Sequence, residues 1–453
     1  MSLTVHEEER SSTQSWRRYL VSPDAYLISI LVTAVVAAYV TYLRDRVDPG
    51  GWLIYGQSPG VYIPFLLFPI TLVLWLMCRE WAERNRWSIA FLVGMAVSWG
   101  VHFAIIQIHG DLYVHAIWLF LPVVLLLLIK PPTWQAARQT LQVLAWSIVG
   151  IAALTFFLER LGVVPQFFVG GEELIAWEQE RYWLPLQGLL GVEGRWPGPF
   201  GANQKTAFLA VIAIIIGLTN SGWRRLVLTV GGVVILFMTG SRGGFFALAV
   251  GLFVLVAFSR HRIMERIPAP YRIGAAVLVL LSVAFVIINQ SGLGLTGRSE
   301  LWAGFLGLWE SSPVIGVGQV GISSAPVIVT WMDPSWMDAH SIYVQQITRY
   351  GVIGSLLAFG TLLVGVVAAL FAAIRRWVLP LAVLGSYLAS GVTDSLHDGW
   401  QLLSTHVAMI ITAVLGATAW NGQHHTRNQT ASHIDVAPSD NPERMRELPN
   451  LDH

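Results

Sequence analysis

Residues 205–259 read KTAFLAVIAIIIGLTNSGWRRLVLTVGGVVILFMTGSRGGFFALAVGLFVLVAFS. Three apolar runs, at 205–219, 224–239 and 244–259, follow one another with only short polar links between them. Runs of this kind suit crossings of a bilayer core roughly 30 Å thick. Working outward, similar runs fall at 25–43, 61–78, 88–107, 112–129, 139–158, 271–289, 350–374, 379–393 and 402–420. The pattern predicts an all-α polytopic membrane protein of about twelve spans, interrupted at about 160–204 and 290–349.

Composition supports this reading. Hydrophobic residues make up 55% of the chain and charged residues 12%, about half the charge of an ordinary soluble domain. Mean hydropathy is +0.60. A net charge of +1 gives no support to a nucleic-acid partner. The lone cysteine, Cys78, excludes an intrachain disulfide, and no Cys/His cluster has the spacing of a structural zinc site. No metal or other cofactor is expected.

Orientation follows from the basic residues. With the N-terminus in the cytoplasm, 19 of the 28 Lys and Arg residues fall on the inner side, at least two in every inner segment. Trp16, Trp52, Trp81, Trp87, Trp134, Trp223, Trp377, Trp400 and Trp420 lie near span ends, as an aromatic belt requires. The first run follows Arg17 and Arg18 without a small-residue cleavage site, so it reads as an uncleaved helix. The expected organisation is a cytoplasmic segment at 1–24, a transmembrane domain at 25–420 and a disordered cytoplasmic tail at 421–453. Both long interruptions then face outward, where a bacterial plasma membrane meets no ATP. Bond formation there needs a donor carrying its own leaving group.

Nine basic residues remain on the outer side: Arg44, Arg46, Arg160, Arg181, Arg195, Lys205, Arg242, Arg298 and Arg349. Arg160 and Arg181 lie among Glu159, Glu172, Glu173, Glu178 and Glu180 and read as solvated and self-paired. Arg242 sits in the tight link Thr239-Gly240-Ser241-Arg242-Gly243-Gly244. Such a turn suits an anion-binding nest with close amide approach; the alternative is an arginine snorkelling to headgroups. Arg298, in Thr296-Gly297-Arg298-Ser299-Glu300-Leu301-Trp302, opens a segment with Leu301, Phe305 and Leu308 at helical spacing. An amphipathic helix on the outer leaflet is predicted, capped by Thr296, with Arg298 at its positive end. Phosphate binding and pairing with Glu300 or Glu310 are both open.

His340, in Asp338-Ala339-His340-Ser341-Ile342-Tyr343, suits acceptance of a hydroxyl proton or a structural hydrogen bond. Tyr343 shares its face if the helix begins this early. Arg195, Asn203 and Lys205 flank Pro197-Gly198-Pro199-Phe200-Gly201. Arg195 and Lys205 suit a glycan or phosphate groove and equally an interface anchor. Asp394, His397 and Asp398 form another outer cluster.

Four stretches in order resemble the bacterial O-antigen ligase and polymerase superfamily of membrane glycosyltransferases. They are residues 198–207, GPFGANQKTA; Gly240-Ser241-Arg242-Gly243; Gly297-Arg298 with Trp302; and His340-Ser341-Ile342-Tyr343 with Gly351 and Gly354. The resemblance implies a donor glycan on a polyprenyl diphosphate, such as undecaprenyl diphosphate, and metal-independent, inverting transfer to a glycan, lipid or protein acceptor. It implies that Arg242 and Arg298 bind the diphosphate and that His340 lies near the acceptor. Arg195, Asn203, Lys205, Ser241, Trp302 and Tyr343 are the expected substrate-binding set. The expected setting is a bacterial plasma membrane, with the site on its outer face. The rival reading is a transporter or flippase for lipid-linked glycan; the absence of a visible repeat and the placing of charges at span ends weigh against it.

Overall fold

The computed structural model describes residues 134–163, 196, 198–200, 203–258, 298–323, 339–374 and 377–393, with single positions at 108, 268 and 271. Among these, all regular structure is helical. The helices are α1 (Trp134–Arg160), α2 (Asn203–Leu218), α3 (Gly222–Thr239), α4 (Arg242–Phe258), α5 (Arg298–Glu310), α6 (Gly318–Ser323), α7 (Ile342–Ile374) and α8 (Leu379–Thr393). A 3-10 turn, Gly198–Phe200, precedes α2. The expected runs at 25–43, 61–78, 88–107, 112–129 and 402–420 lie outside the described residues, as do the run at 271–289 after its first residue and both terminal segments.

Helix α2 is apolar on every face and nearly every residue of it is buried. A helix of that pattern belongs inside a bundle, and α1, α3, α4 and α8 all pack on it. Its neighbours approach through small residues. A Cβ at Gly244 would lie 2.7 Å from both the Ala207 Cβ and the Leu236 Cδ1. Close contact of this kind lets dispersion replace the hydrophobic effect where the solvent is itself apolar.

The outer faces are apolar too. Trp223, Leu226, Val227, Val230 and Val234 follow one stripe of α3 and are exposed, an uncovered apolar face that water does not favour. Arg138–Arg160 and Gly222–Thr239 are long and apolar enough to cross a membrane; Asn203–Leu218, Arg242–Phe258 and Leu379–Val392 are shorter apolar helices. Trp377, expected in an exposed belt, is instead buried in the bundle core.

Two ends of the bundle differ. At one, the Gln142 amide donates to Asn220, and Trp146 and Trp223 meet at 5.4 Å. Arg224 and Arg225 are exposed there, in the first turn of α3. At the other end lie the last turn of α1, the 3-10 turn, the α3–α4 link, the start of α7 and the end of α8.

A smaller apolar cluster of Leu301, Phe305, Ile322 and Ala339 holds α5 and α6 against the start of α7. The apolar face expected to rest on the outer leaflet is thus buried against protein: Leu301 and Phe305 are both 0% exposed. Helix α7 is broken at Gly351, with φ 61° and ψ −165°. There the backbone of 313–317 takes over the hydrogen bonding. Val317 N–H donates to Thr348 O at 2.9 Å, Val352 N–H to Pro313 O at 2.9 Å and Ile353 N–H to Val314 O at 3.1 Å. Gly316, at φ 75°, faces this break, and a Cβ on either glycine would strike the other segment's backbone.

Candidate functional site

The link between α3 and α4 is built by two caps. Gly240 ends α3 in the left-handed region, φ 58°, and its N–H donates to Phe237 O. Ser241 then begins α4: its Oγ accepts from Gly244 N–H at 3.2 Å and its carbonyl from Phe245 N–H at 3.2 Å. This is the geometry of an N-cap. It places Arg242 at the first helical position, exposed, beside the positive end of the α4 dipole. Gly243 and Gly244 are buried. Close approach of helices calls for glycine at Gly244.

Residues ahead of α2 close over the same end. The Trp196 N–H donates to Met238 O at 3.0 Å, and its indole N–H to the Glu159 carboxyl group at 2.7 Å. Glu159 is 5% exposed, which corrects the expectation of a solvated acid. Its neighbour Arg160 is exposed and lies 5.1 Å over the Phe156 ring. Asn203 and Lys205 are buried in the first turn of α2. Arg195 lies outside the described residues, as do Thr296 and the Asp394, His397, Asp398 cluster.

Arg298 opens α5, in the first turn as expected. One turn on, the Trp302 indole N–H donates to Ala339 O at 2.8 Å. The first turn of α5 is thereby fixed beside the loop that carries His340. His340 itself precedes α7 and has φ 47°. No other described non-glycine residue has positive φ. Such a conformation costs about 1–3 kcal/mol and persists only where its surroundings enforce it. Since α7 begins at Ile342, His340 and Tyr343 do not share a helical face.

Tyr343 is tied to α8. Its hydroxyl donates to Leu388 O at 2.9 Å, and its ring stacks on Phe359 at 5.5 Å. The phenol acts there as the donor to a backbone carbonyl. The Ser341 hydroxyl donates to Gly391 O at 3.4 Å. Arg349, 8% exposed, and Gln345, 2% exposed, are also buried in the first turns of α7. Gln345 carried no signal in the sequence; Arg349 was visible only as a basic residue on the expected outer side.

Arg242, the first turn of α2 and the start of α7 thus lie at one end of the bundle, and Trp302 ties the first turn of α5 to the His340 loop. Among curated proteins, none matches the chain significantly. Residues 226–359 match the family described as O-Antigen ligase. The matched stretch contains Ser241, Arg242, Arg298, Trp302, His340 and Tyr343; Arg195, Asn203 and Lys205 precede it. Over residues 226–359 the chain is therefore similar to O-Antigen ligase, which supports the resemblance to the O-antigen ligase and polymerase superfamily.

Proposed function

We propose that this protein transfers a glycan from a polyprenyl-diphosphate carrier to an acceptor on the outer face of a bacterial plasma membrane. The observation that carries the proposal is the 2.8 Å bond from Trp302 to Ala339. It joins the helix that starts at Arg298 to the loop of His340, inside the stretch that matches O-Antigen ligase.

Arg242 and Arg298 hold the diphosphate through charge-assisted, bidentate hydrogen bonds. An acceptor hydroxyl oxygen attacks the anomeric carbon from the face opposite the leaving group. The bond from that carbon to the diphosphate oxygen breaks, and its electron pair stays on the polyprenyl diphosphate. The two guanidinium groups stabilise the charge as it develops. His340 takes the hydroxyl proton. The product is inverted at the anomeric centre, and no metal takes part. Lys205, Asn203 and Arg195 belong to the substrate-binding set of this reading, and Ser241 holds the Arg242 turn in shape.

The exposed apolar stripe on α3 supports the membrane setting, as does the apolar length of α1 and α3. Twelve spans, both termini in the cytoplasm and an outward site complete the reading.

The test is mass analysis of polyprenyl-linked glycans in a strain lacking the protein, rescued by the wild type or by Arg242→Ala. Accumulated single repeat units identify a polymerase, and long lipid-linked polymers identify a ligase. An unchanged lipid-linked pool, or full rescue by Arg242→Ala, rejects the proposal and favours a transporter.

A further inference from the structure

Ala339 is fully buried, and both of its backbone polar groups are held by side chains from different elements. Its carbonyl accepts from the Trp302 indole at 2.8 Å, and its N–H donates to the Gln345 Oε1 at 2.8 Å. The second bond also fixes the Gln345 amide, because only its oxygen accepts. The Ala339 carbonyl lies in the peptide plane that enters His340. The residue after His340 is anchored as well: Ser341 O accepts from Gln345 N–H at 2.9 Å, and the Ser341 hydroxyl reaches Gly391 O. With Ala339 and Ser341 both held on either side of it, the φ of 47° at His340 is imposed from outside.

We infer that Trp302 and Gln345 are positioning residues that grip Ala339 from both sides and hold His340 in its left-handed conformation. The inference rests on His340 acting at the acceptor, and it assigns Trp302 a task other than touching substrate. Without the grip, His340 relaxes to an ordinary backbone conformation and its side chain swings away. A displacement of about 1 Å at a reacting group costs up to roughly a hundredfold in rate.

The test uses the full chain in membrane vesicles of the source strain, whose own lipid-linked glycans serve as donor. The rate is the loss of lipid-linked glycan per unit of protein. Trp302→Phe keeps the ring and loses the N–H; Gln345→Met loses the acceptor oxygen; Gln345→Glu keeps one. Trp302→Phe and Gln345→Met each lower the rate roughly tenfold or more, and Gln345→Glu recovers most of the loss. Neither loss adds to that of His340→Ala, because all three act on one group. Equal losses with and without His340→Ala overturn the inference. The Gln345 pair carries the test if Trp302→Phe does not accumulate. Should His340→Ala run at the wild-type rate, the role of His340 at the acceptor falls, and hydrogen exchange across 339–345 then decides the grip by itself. Faster exchange in Gln345→Met upholds the grip, and unchanged exchange overturns it.

Discussion

Trp196 and Glu159 meet at 2.7 Å with both residues buried, at the point where the chain returns from the 160–204 interruption to the helix bundle. The bond joins α1 to the segment that leads into α2, and the Trp196 backbone joins the same segment to the end of α3. Trp196→Phe leaves the Glu159 carboxyl group short of a buried donor, at a cost of about 1–3 kcal/mol. A lower midpoint of heat inactivation in detergent is expected, and Glu159→Leu in the Trp196→Phe background should recover part of it. A midpoint equal to wild type in Trp196→Phe would show that the bond contributes nothing.

Arg242 is exposed at the head of α4, so its removal should leave the fold intact. Arg242→Ala is expected to retain wild-type abundance and to lose about 1.5–3 kcal/mol of stabilisation of the leaving group, roughly ten- to hundredfold in rate. Arg242→Lys should recover little, because an ammonium group cannot make the bidentate contact. Lipid-linked glycan turnover at matched protein level measures both. Full activity in the lysine variant would reduce the role of Arg242 to charge alone.

The Ser241 cap predicts a separate effect. Ser241→Ala removes the acceptor for Gly244 N–H and should destabilise the protein by about 1 kcal/mol, whereas Ser241→Thr keeps the cap. Thermal stability of the two variants, read side by side, checks this. Equal loss in both would place the contribution of Ser241 in packing.

Gly351 and Gly316 face each other across the break in α7. Gly351→Ala places a side chain at φ 61° and against the Val314 backbone, so it is destabilising on two counts. Gly316→Ala should behave alike, and the double variant should lose less than the sum, since one crossing is lost in each case. Folded protein recovered from membranes, by fluorescence-detected size exclusion, is the measurement. Wild-type recovery of Gly351→Ala would mean that the break relaxes without cost.

The described helices were legible wherever an apolar run and a helix share their limits. The run at 379–393 coincides with α8, and the run at 224–239 falls within α3. Helix α7 was not, for it begins eight residues ahead of the run at 350–374. Its first turns carry Gln345, Gln346 and Arg349, which are buried against protein, so hydropathy misreads them. Arg242 and Arg298 were found because basic residues outside the charge rule are few. Each stands at the first residue of a helix, and for Arg242 that position follows from the Ser241 cap. The burial of Glu159 left no local trace, since its partner lies 37 residues away. The backbone of His340 was equally silent: histidine visits positive φ more often than most residues but too rarely to announce it, and the bonds around it reach Trp302, Gln345 and Gly391 elsewhere in the chain.

The bond between Trp302 and Ala339 also spans 37 positions. The chain leaves that point and comes back to within one hydrogen bond of it, so the interval is a loop tied at its neck. The entropy of closing such a loop grows only with the logarithm of its length. Up to position 323 the interval is tied again, by Phe305 and Ile322 and by the crossing of 313–317 on the break in α7, so changes of length cost least after that position. A chain lengthened there would keep the histidine at the neck in its place.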